Sequence, residues 1–215
     1  MPIRKIPKNY RNITGIAPHN KAVGIAAYES SLERDFLTLL EFNTNVKHFE
    51  VQPIAIEWFD AVGKRHTYTP DVLVHYQNYV IVYEVKYRSD LRKNWHELKP
   101  KFQAALRFCK QHGWRFKLIT EVEIHTDYLS NARFLLPYQQ SGLSCEYSEA
   151  YMTLLDECLC ELKQSTPKQL IQHAFQDEYN QAKLLPVLWY LIATRKIGTD
   201  LNRPLTMQSV IWFKK

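Results

Sequence analysis

A mixed α/β domain, a sheet with flanking helices, followed by a small and mostly helical C-terminal domain, is the fold class that the sequence predicts. Two observations carry it. Residues 25–138 read as a helix, then short strands joined by tight turns, then strand–helix–strand; beyond residue 145 helical periodicity takes over. The 215 residues are 46% hydrophobic and 23% charged, an ordinary globular balance that excludes a disordered or collagen-like chain. No apolar run approaches the roughly 18 residues of a membrane span. The basic stretch Met1–Lys21 has no apolar core and so reads as no secretory signal. Four cysteines, Cys109, Cys145, Cys158 and Cys160, are too few for a disulfide framework. They read as reduced thiols of a cytoplasmic protein.

The elements follow in order. Residues 1–24 lack either periodicity and read as a basic, extended N-terminal arm. From Glu29 to Phe42, Leu32, Phe36, Leu39 and Leu40 line one helical face, and Ser30 with Glu33 forms a capping-box pattern at its start. Val51–Phe59 alternates through Ile54, Ile56 and Trp58 as a strand. Asp60–Gly63 turns it into a second strand, Lys64–Thr69. Asp71–Tyr76 and Val80–Tyr87 form a further hairpin about Gln77-Asn78. A helix from about Asn94 to Gln111 buries Leu98, Phe102, Ala105, Leu106 and Cys109. Gly113 ends it, and Arg115–Thr120 is the next strand, so the strands on either side of this helix are predicted parallel. Pro137–Ser144 reads as a linker. Three helices follow, Glu146–Leu162, one capped by Thr166 with Pro167 in its first turn, and Tyr179–Arg195. Two short strands, Ile197–Leu201 and Val210–Phe213, close the chain. Helices ending in a hairpin give residues 145–215 a winged-helix-like pattern.

Charge is uneven. Residues 1–140 hold 20 Lys/Arg against 14 Asp/Glu, and residues 141–215 hold 8 against 8. Residues 1–28 carry Arg4, Lys5, Lys8, Arg11 and Lys21 with no acid, and Lys86–Lys117 holds ten basic residues against Asp90 and Glu97. Such a local excess attracts a phosphate backbone.

Chemistry concentrates in Thr69-Pro70-Asp71 and Glu84-Val85-Lys86. A turn at Gln77-Asn78 pairs Tyr76 with Tyr79 and therefore Asp71 with Glu84. Lys86 shares that face because side chains alternate along a strand. Two carboxylates facing each other across an apolar hairpin repel, and a divalent cation between them removes the conflict. Hard oxygen donors suit Mg²⁺, with Mn²⁺ as its substitute. Glu33, on the border of the buried stripe of its helix, is the third acid. Glu29 and Asp35 fall farther from that stripe. Lys86 beside the ion can steady a water or offset charge on a phosphate.

Helix-borne Glu, Pro-Asp, a spacer and Glu-x-Lys resemble the PD-(D/E)xK nuclease superfamily. The fuller wording resembles the TnsA endonuclease subunit of heteromeric bacterial transposases: Glu29-Ser30-Ser31-Leu32-Glu33-Arg34-Asp35-Phe36-Leu37, Phe49-Glu50-Val51-Gln52-Pro53, Tyr68-Thr69-Pro70-Asp71 and Tyr83-Glu84-Val85-Lys86-Tyr87-Arg88. The resemblance implies a restriction-endonuclease-like mixed sheet over residues 25–138 and a winged-helix domain over 145–215. It implies Mg²⁺-dependent hydrolysis of one strand, on the 5′ side, at each end of a transposon in double-stranded DNA. Glu33, Asp71 and Glu84 match the metal-binding positions, and Lys86 matches the catalytic lysine. Some members carry Gln where this chain has Glu84. Implied partners are a DDE transposase subunit, TnsB, and an ATP-dependent regulator, TnsC, in the bacterial cytoplasm.

Other features read more plainly. Cys158 and Cys160 point apart on a helix and make a poor zinc pair. His75 shares the Asp71 face but reads as a packed strand histidine. Gln52 stands near the expected site as a possible substrate or water contact, and Lys99 and Lys101 as phosphate contacts. The tryptophans Trp58, Trp95, Trp114, Trp189 and Trp212 read as core or interface. Two rival functions stay open on the residues alone, a stand-alone restriction or junction-resolving nuclease and a non-catalytic assembly subunit. Retention of Asp71, Glu84 and Lys86 together argues against the second.

Overall fold

The computed structural model describes residues 15–16, 19–60, 62–142 and 148–214. The chain forms two compact units that divide between His125 and Thr126.

In the first unit, Ser30 caps α1 (Ser31–Phe42), its hydroxyl accepting the Glu33 N–H at 3.2 Å. This satisfies one of the helix's free amides, and Leu32, Phe36, Leu37 and Leu40 are buried beneath it. The strands β3 (Val46–Val51), β6 (Val72–Tyr76), β7 (Val80–Val85) and β8 (Arg115–Ile119) make the central sheet in the order β3-β6-β7-β8. β6 runs antiparallel to both of its neighbours, β3 and β7, and β7 and β8 are parallel. The helix between them, α2 (Arg88–Gln111), packs Phe102, Ala105 and Cys109 against a face carrying Leu73 and Val82. On the opposite face, Phe36 of α1 meets the Tyr83 ring at 4.9 Å between centroids. Gly113 takes the left-handed φ of +70° just past α2, where a side chain would be strained. A short α3 (Glu121–Ile124) follows β8.

The β6–β7 register is the expected one, with Val72 opposite Tyr83 and His75 opposite Val80. Other expectations need correction. Val51–Phe59 is not one strand. Gln52 adopts a positive φ of 49°, which together with Pro53 breaks the chain between β3 and β4 (Ile56–Phe59). Strand β4 pairs with β5 (Arg65–Tyr68) as expected, in a hairpin separate from the central sheet. Within the N-terminal arm, residues 1–14 and 17–18 lie outside the described residues, but the remainder is not free. β1 (Gly15–Ile16) pairs with β2 (Ala27–Tyr28). Phe49 donates to the Lys21 carbonyl and accepts from the Val23 N–H, each at 2.9 Å. The long helix begins at Arg88 rather than Asn94, and Asn94 marks a kink within it.

The second unit opens with α4 (Asp127–Ser141), a helix through the first part of the expected linker. Its Phe134 ring packs edge-on to Trp189, and Asn131 donates to the Leu201 and Arg203 carbonyls at 2.9 and 2.7 Å. These contacts bind α4 to the C-terminal unit, whereas the sequence reading ended the first domain at 138. Then come α5 (Ser148–Leu162), β9 (Gln164–Ser165), α6 (Pro167–Ala174) and α7 (Glu178–Ala193). Thr166 caps α6 by accepting the Gln169 N–H, and Asp177 caps α7 through Asn180. Strands β10 (Ile197–Thr199) and β11 (Ile211–Phe213) form an antiparallel hairpin, and β11 also pairs with β9. Leu155, Leu159, Leu170, Leu184, Leu188 and Leu191 are fully buried here.

Candidate active site

A cleft of about 550 Å³ opens in the first unit where β6 begins and β7 ends, and Glu33, Asp71, Glu84 and Lys86 all line it. Hairpin register brings Asp71 to the end of β7. Its Oδ2 accepts the Val85 N–H at 2.7 Å and lies 3.4 Å from Lys86 Nζ. Glu84, 1% exposed, accepts the Tyr68 hydroxyl on Oε2 at 2.5 Å. Its Oε1 lies 3.1 Å from Lys86 Nζ and 3.8 Å from Lys101 Nζ. Lys86 also donates to the Val85 carbonyl at 3.1 Å.

Glu33 reaches the cleft from the first turn of α1 while completing its cap. Its Oε1 accepts from the Ser30 hydroxyl at 3.0 Å and its Oε2 from the Glu29 N–H at 2.8 Å. Capping the helix and lining the cleft therefore coexist in this residue. Burial, reinforced by the Asp71 charge, pushes Glu33 up to about 7, and the same two causes push Glu84 up to about 7. Burial opposes charge on Lys86, yet Asp71 and Glu84 outweigh it and hold the ammonium above its ordinary pKa. At Lys101 burial prevails and lowers the pKa.

Glu33, Asp71 and Glu84 thus share the cleft with Lys86, and burial beside the Asp71 charge makes ionisation of Glu33 and Glu84 costly. All three carboxylates offer hard oxygen donors. That set fits a small divalent cation such as Mg²⁺ or Mn²⁺, which favours carboxylate oxygens over nitrogen or sulfur.

Several neighbours escaped the sequence reading. Glu29, set aside there as too far from the buried stripe, lines the cleft and accepts from Gln52 Nε2 at 3.4 Å. It precedes the helix, so helical periodicity says nothing of its direction. Tyr68, Trp58 and His66 come from the β4–β5 hairpin, with Trp58 stacked on His66 at 4.5 Å. Gln52 lines the cleft as expected. It is 4% exposed, and its Oε1 has no hydrogen-bond partner among the described residues. Lys101 lines the cleft too, over the Tyr68 ring at 5.0 Å, whereas Lys99 is exposed outside it. His75 is remote, stacked on His48 with 4.3 Å between ring centroids. Of the tryptophans read as core or interface, Trp58 packs against the buried core from the cleft wall, whereas Trp95 and Trp212 are 46% and 40% exposed in the single chain. Trp189 is buried.

The mixed sheet with helices on both faces belongs to the restriction-endonuclease-like class. Residues 43–121 match the family model described as TnsA-like endonuclease N terminal, and residues 123–201 match that described as TnsA endonuclease C terminal. The two lie in tandem across residues 43–201, and the chain belongs to the TnsA-type endonucleases, the nuclease subunits of transposases. Asp71, Glu84 and Lys86 fall within the first match; Glu33 precedes it. No curated protein matches the chain. The resemblance read from the sequence motifs is borne out.

Proposed function

We propose that the chain is a Mg²⁺-dependent DNA endonuclease that hydrolyses one strand, on the 5′ side, at each transposon end. The observation that carries this reading is the convergence of Glu33, Asp71, Glu84 and Lys86 in one cleft. Glu33, Asp71 and Glu84 would hold the ion, with Mn²⁺ as a substitute. When bound, the ion supplies charge neutralisation at the scissile phosphate and lowers the pKa of water. Lys86, tethered by Asp71, Glu84 and the Val85 carbonyl, orients the attacking water and offsets charge developing on the phosphate oxygens. Tyr68 holds one Glu84 oxygen in place. Lys101 and the basic α2 around it attract the DNA backbone. The products are a 5′-phosphate and a 3′-hydroxyl.

The N-terminal unit carries the nuclease chemistry in this reading, and the C-terminal unit works as a winged-helix-like module. The enzyme acts beside a DDE transposase subunit (TnsB) and under an ATP-dependent regulator (TnsC), in the bacterial cytoplasm. Among the described residues no helix is long and apolar enough to cross a membrane, in keeping with that setting.

The test combines two measurements, because a partner-dependent enzyme is silent alone. Anomalous diffraction from Mn²⁺-soaked crystals should show a peak between Asp71 and Glu84. Reconstitution with the partner subunits on end-labelled transposon DNA should give Mg²⁺-dependent 5′-side cleavage. Asp71→Ala should abolish it while leaving DNA binding intact. An empty cleft in Mn²⁺, or wild-type cutting by Asp71→Ala, overturns the assignment.

A further inference from the structure

A second group of metal-ligand side chains lies on the same sheet, away from the cleft. His48 and His75 are directly paired across β3 and β6. Glu50 is two residues from His48, so all three side chains project from one face. Their donor atoms lie within 4.8 Å of one another, and each residue is partly exposed. The two imidazoles are stacked, with 4.3 Å between centroids and 18° between planes, so the rings must turn out of the stack for both in-plane lone pairs to meet at one ion. No side-chain hydrogen bond or ion pair occupies any of the three among the described residues. Asp71 is four residues from His75 on the same strand face, about 13 Å at a strand rise of ~3.3 Å. One ion therefore cannot serve both clusters.

We propose that His48, Glu50 and His75 form a Zn²⁺ site, separate from the nuclease centre, that clips edge strand β3 to β6. Two imidazoles and one carboxylate are the donor set of an open three-ligand zinc site, with water completing four-coordination. Imidazole nitrogen selects a borderline first-row ion over Mg²⁺, so the two sites sort their metals by chemistry. Tetrahedral Zn²⁺ with ligand bonds near 2.0–2.1 Å separates its donors by about 3.4 Å. Partial exposure leaves the three side chains room to rotate, unstacking the rings and closing the remaining distance. The site anchors the strand whose end carries Gln52 into the cleft, but its zinc binding does not depend on the nuclease reading.

The test is a Zn²⁺ titration of the untagged full-length chain in excess Mg²⁺, read by competition with a chromophoric chelator. Wild type and Asp71→Ala should each bind one equivalent with the same affinity. His48→Ala and His75→Ala should each lose more than about 100-fold, beyond what outer-shell partners cost; Glu50→Gln should lose less. Zinc binding unchanged in His48→Ala and His75→Ala, or lost in Asp71→Ala instead, overturns the proposal. Wild type loaded with Co²⁺ provides a readout independent of any variant's folding. Strong visible absorption of a four- or five-coordinate ion is expected, and a weak octahedral spectrum alone also overturns it.

Discussion

The Tyr68 hydroxyl donates to Glu84 Oε2 at 2.5 Å, leaving Oε1 turned toward Lys86 and Lys101. One oxygen of a nearly inaccessible carboxylate is thereby committed, and the other faces the cleft. Burial and then the Glu84 charge hold the phenol far above its ordinary pKa, so it remains a donor at any working pH. Tyr68→Phe strips that donor without changing the packing against Phe102. The variant should lose about 10–100-fold in Mg²⁺ affinity, the usual cost of an outer-shell partner. It should also lose about 1–3 kcal/mol of stability, the cost of a buried acceptor left unpaired. Isothermal titration and urea melts measure the two losses. Wild-type metal affinity in Tyr68→Phe would show that Glu84 is held by other means.

Acid–base balance in the cleft predicts an unusual pH profile for the metal-free protein. Glu33 and Glu84 are raised from the ordinary 4.5 to about 7 by burial first and Asp71 second. Between those values the native state holds protons that the unfolded chain has released, so stability falls as pH rises across that window. The contribution is fully present below 4.5 and gone above about 7. A divalent ion held by these acids would bind their ionised form and stabilise by mass action. The Mg²⁺-induced rise in Tm should therefore be larger at about pH 8 than at about pH 5.5. Differential scanning fluorimetry with and without Mg²⁺ checks it; equal shifts at both pH values would contradict the pairing of acids described.

Legibility followed how local each constraint is. The Asp71–Glu84 pairing was readable because a two-residue turn at Gln77-Asn78 sets every later pair in the hairpin. Glu84 and Lys86 share a face by strand alternation alone. Strand β3 was not readable, because its register shifts between Val46 and His48 and Gln52 leaves the strand through a left-handed backbone. α4 was obscured by Pro137, which resembles a breaker yet sits within the helix, where contacts such as Phe134 on Trp189 support it. Glu29 enters the cleft through the loop before α1, where no sequence period announces its direction.

Glu84→Gln separates the two demands on this site. The charge on Glu84 is unfavourable to the metal-free fold at high pH, so a neutral isostere that still faces Tyr68 and Lys86 relieves it. The variant should melt higher than wild type at about pH 8 without metal, and close to wild type near pH 5, where Glu84 is already protonated. It should bind Mg²⁺ more weakly, since a ligand charge is gone. A lower melting temperature at high pH would mean that the Lys86 ion pair outweighs desolvation at this carboxylate.

Lys101 distinguishes attraction of DNA from the chemical step. It projects into the cleft from α2 with its ammonium over the Tyr68 and Phe102 rings, 3.8 Å from Glu84 Oε1. Burial lowers its pKa, and the neighbouring acids partly offset that effect. Lys101→Met keeps the aliphatic stem on the rings and removes the charge. If Lys101 contacts one backbone phosphate, the dependence of log K on log salt should become shallower by about 1. DNA affinity should fall similarly for cognate and unrelated duplexes, because a phosphate contact reads no sequence. Single-turnover cleavage at saturating DNA should fall far less than in Lys86→Met, where the group beside both Asp71 and Glu84 is lost. Filter binding across a salt series, paired with single-turnover cleavage in the reconstituted complex, makes the comparison. An unchanged salt slope with a collapsed cleavage rate would instead assign Lys101 to the reacting phosphate.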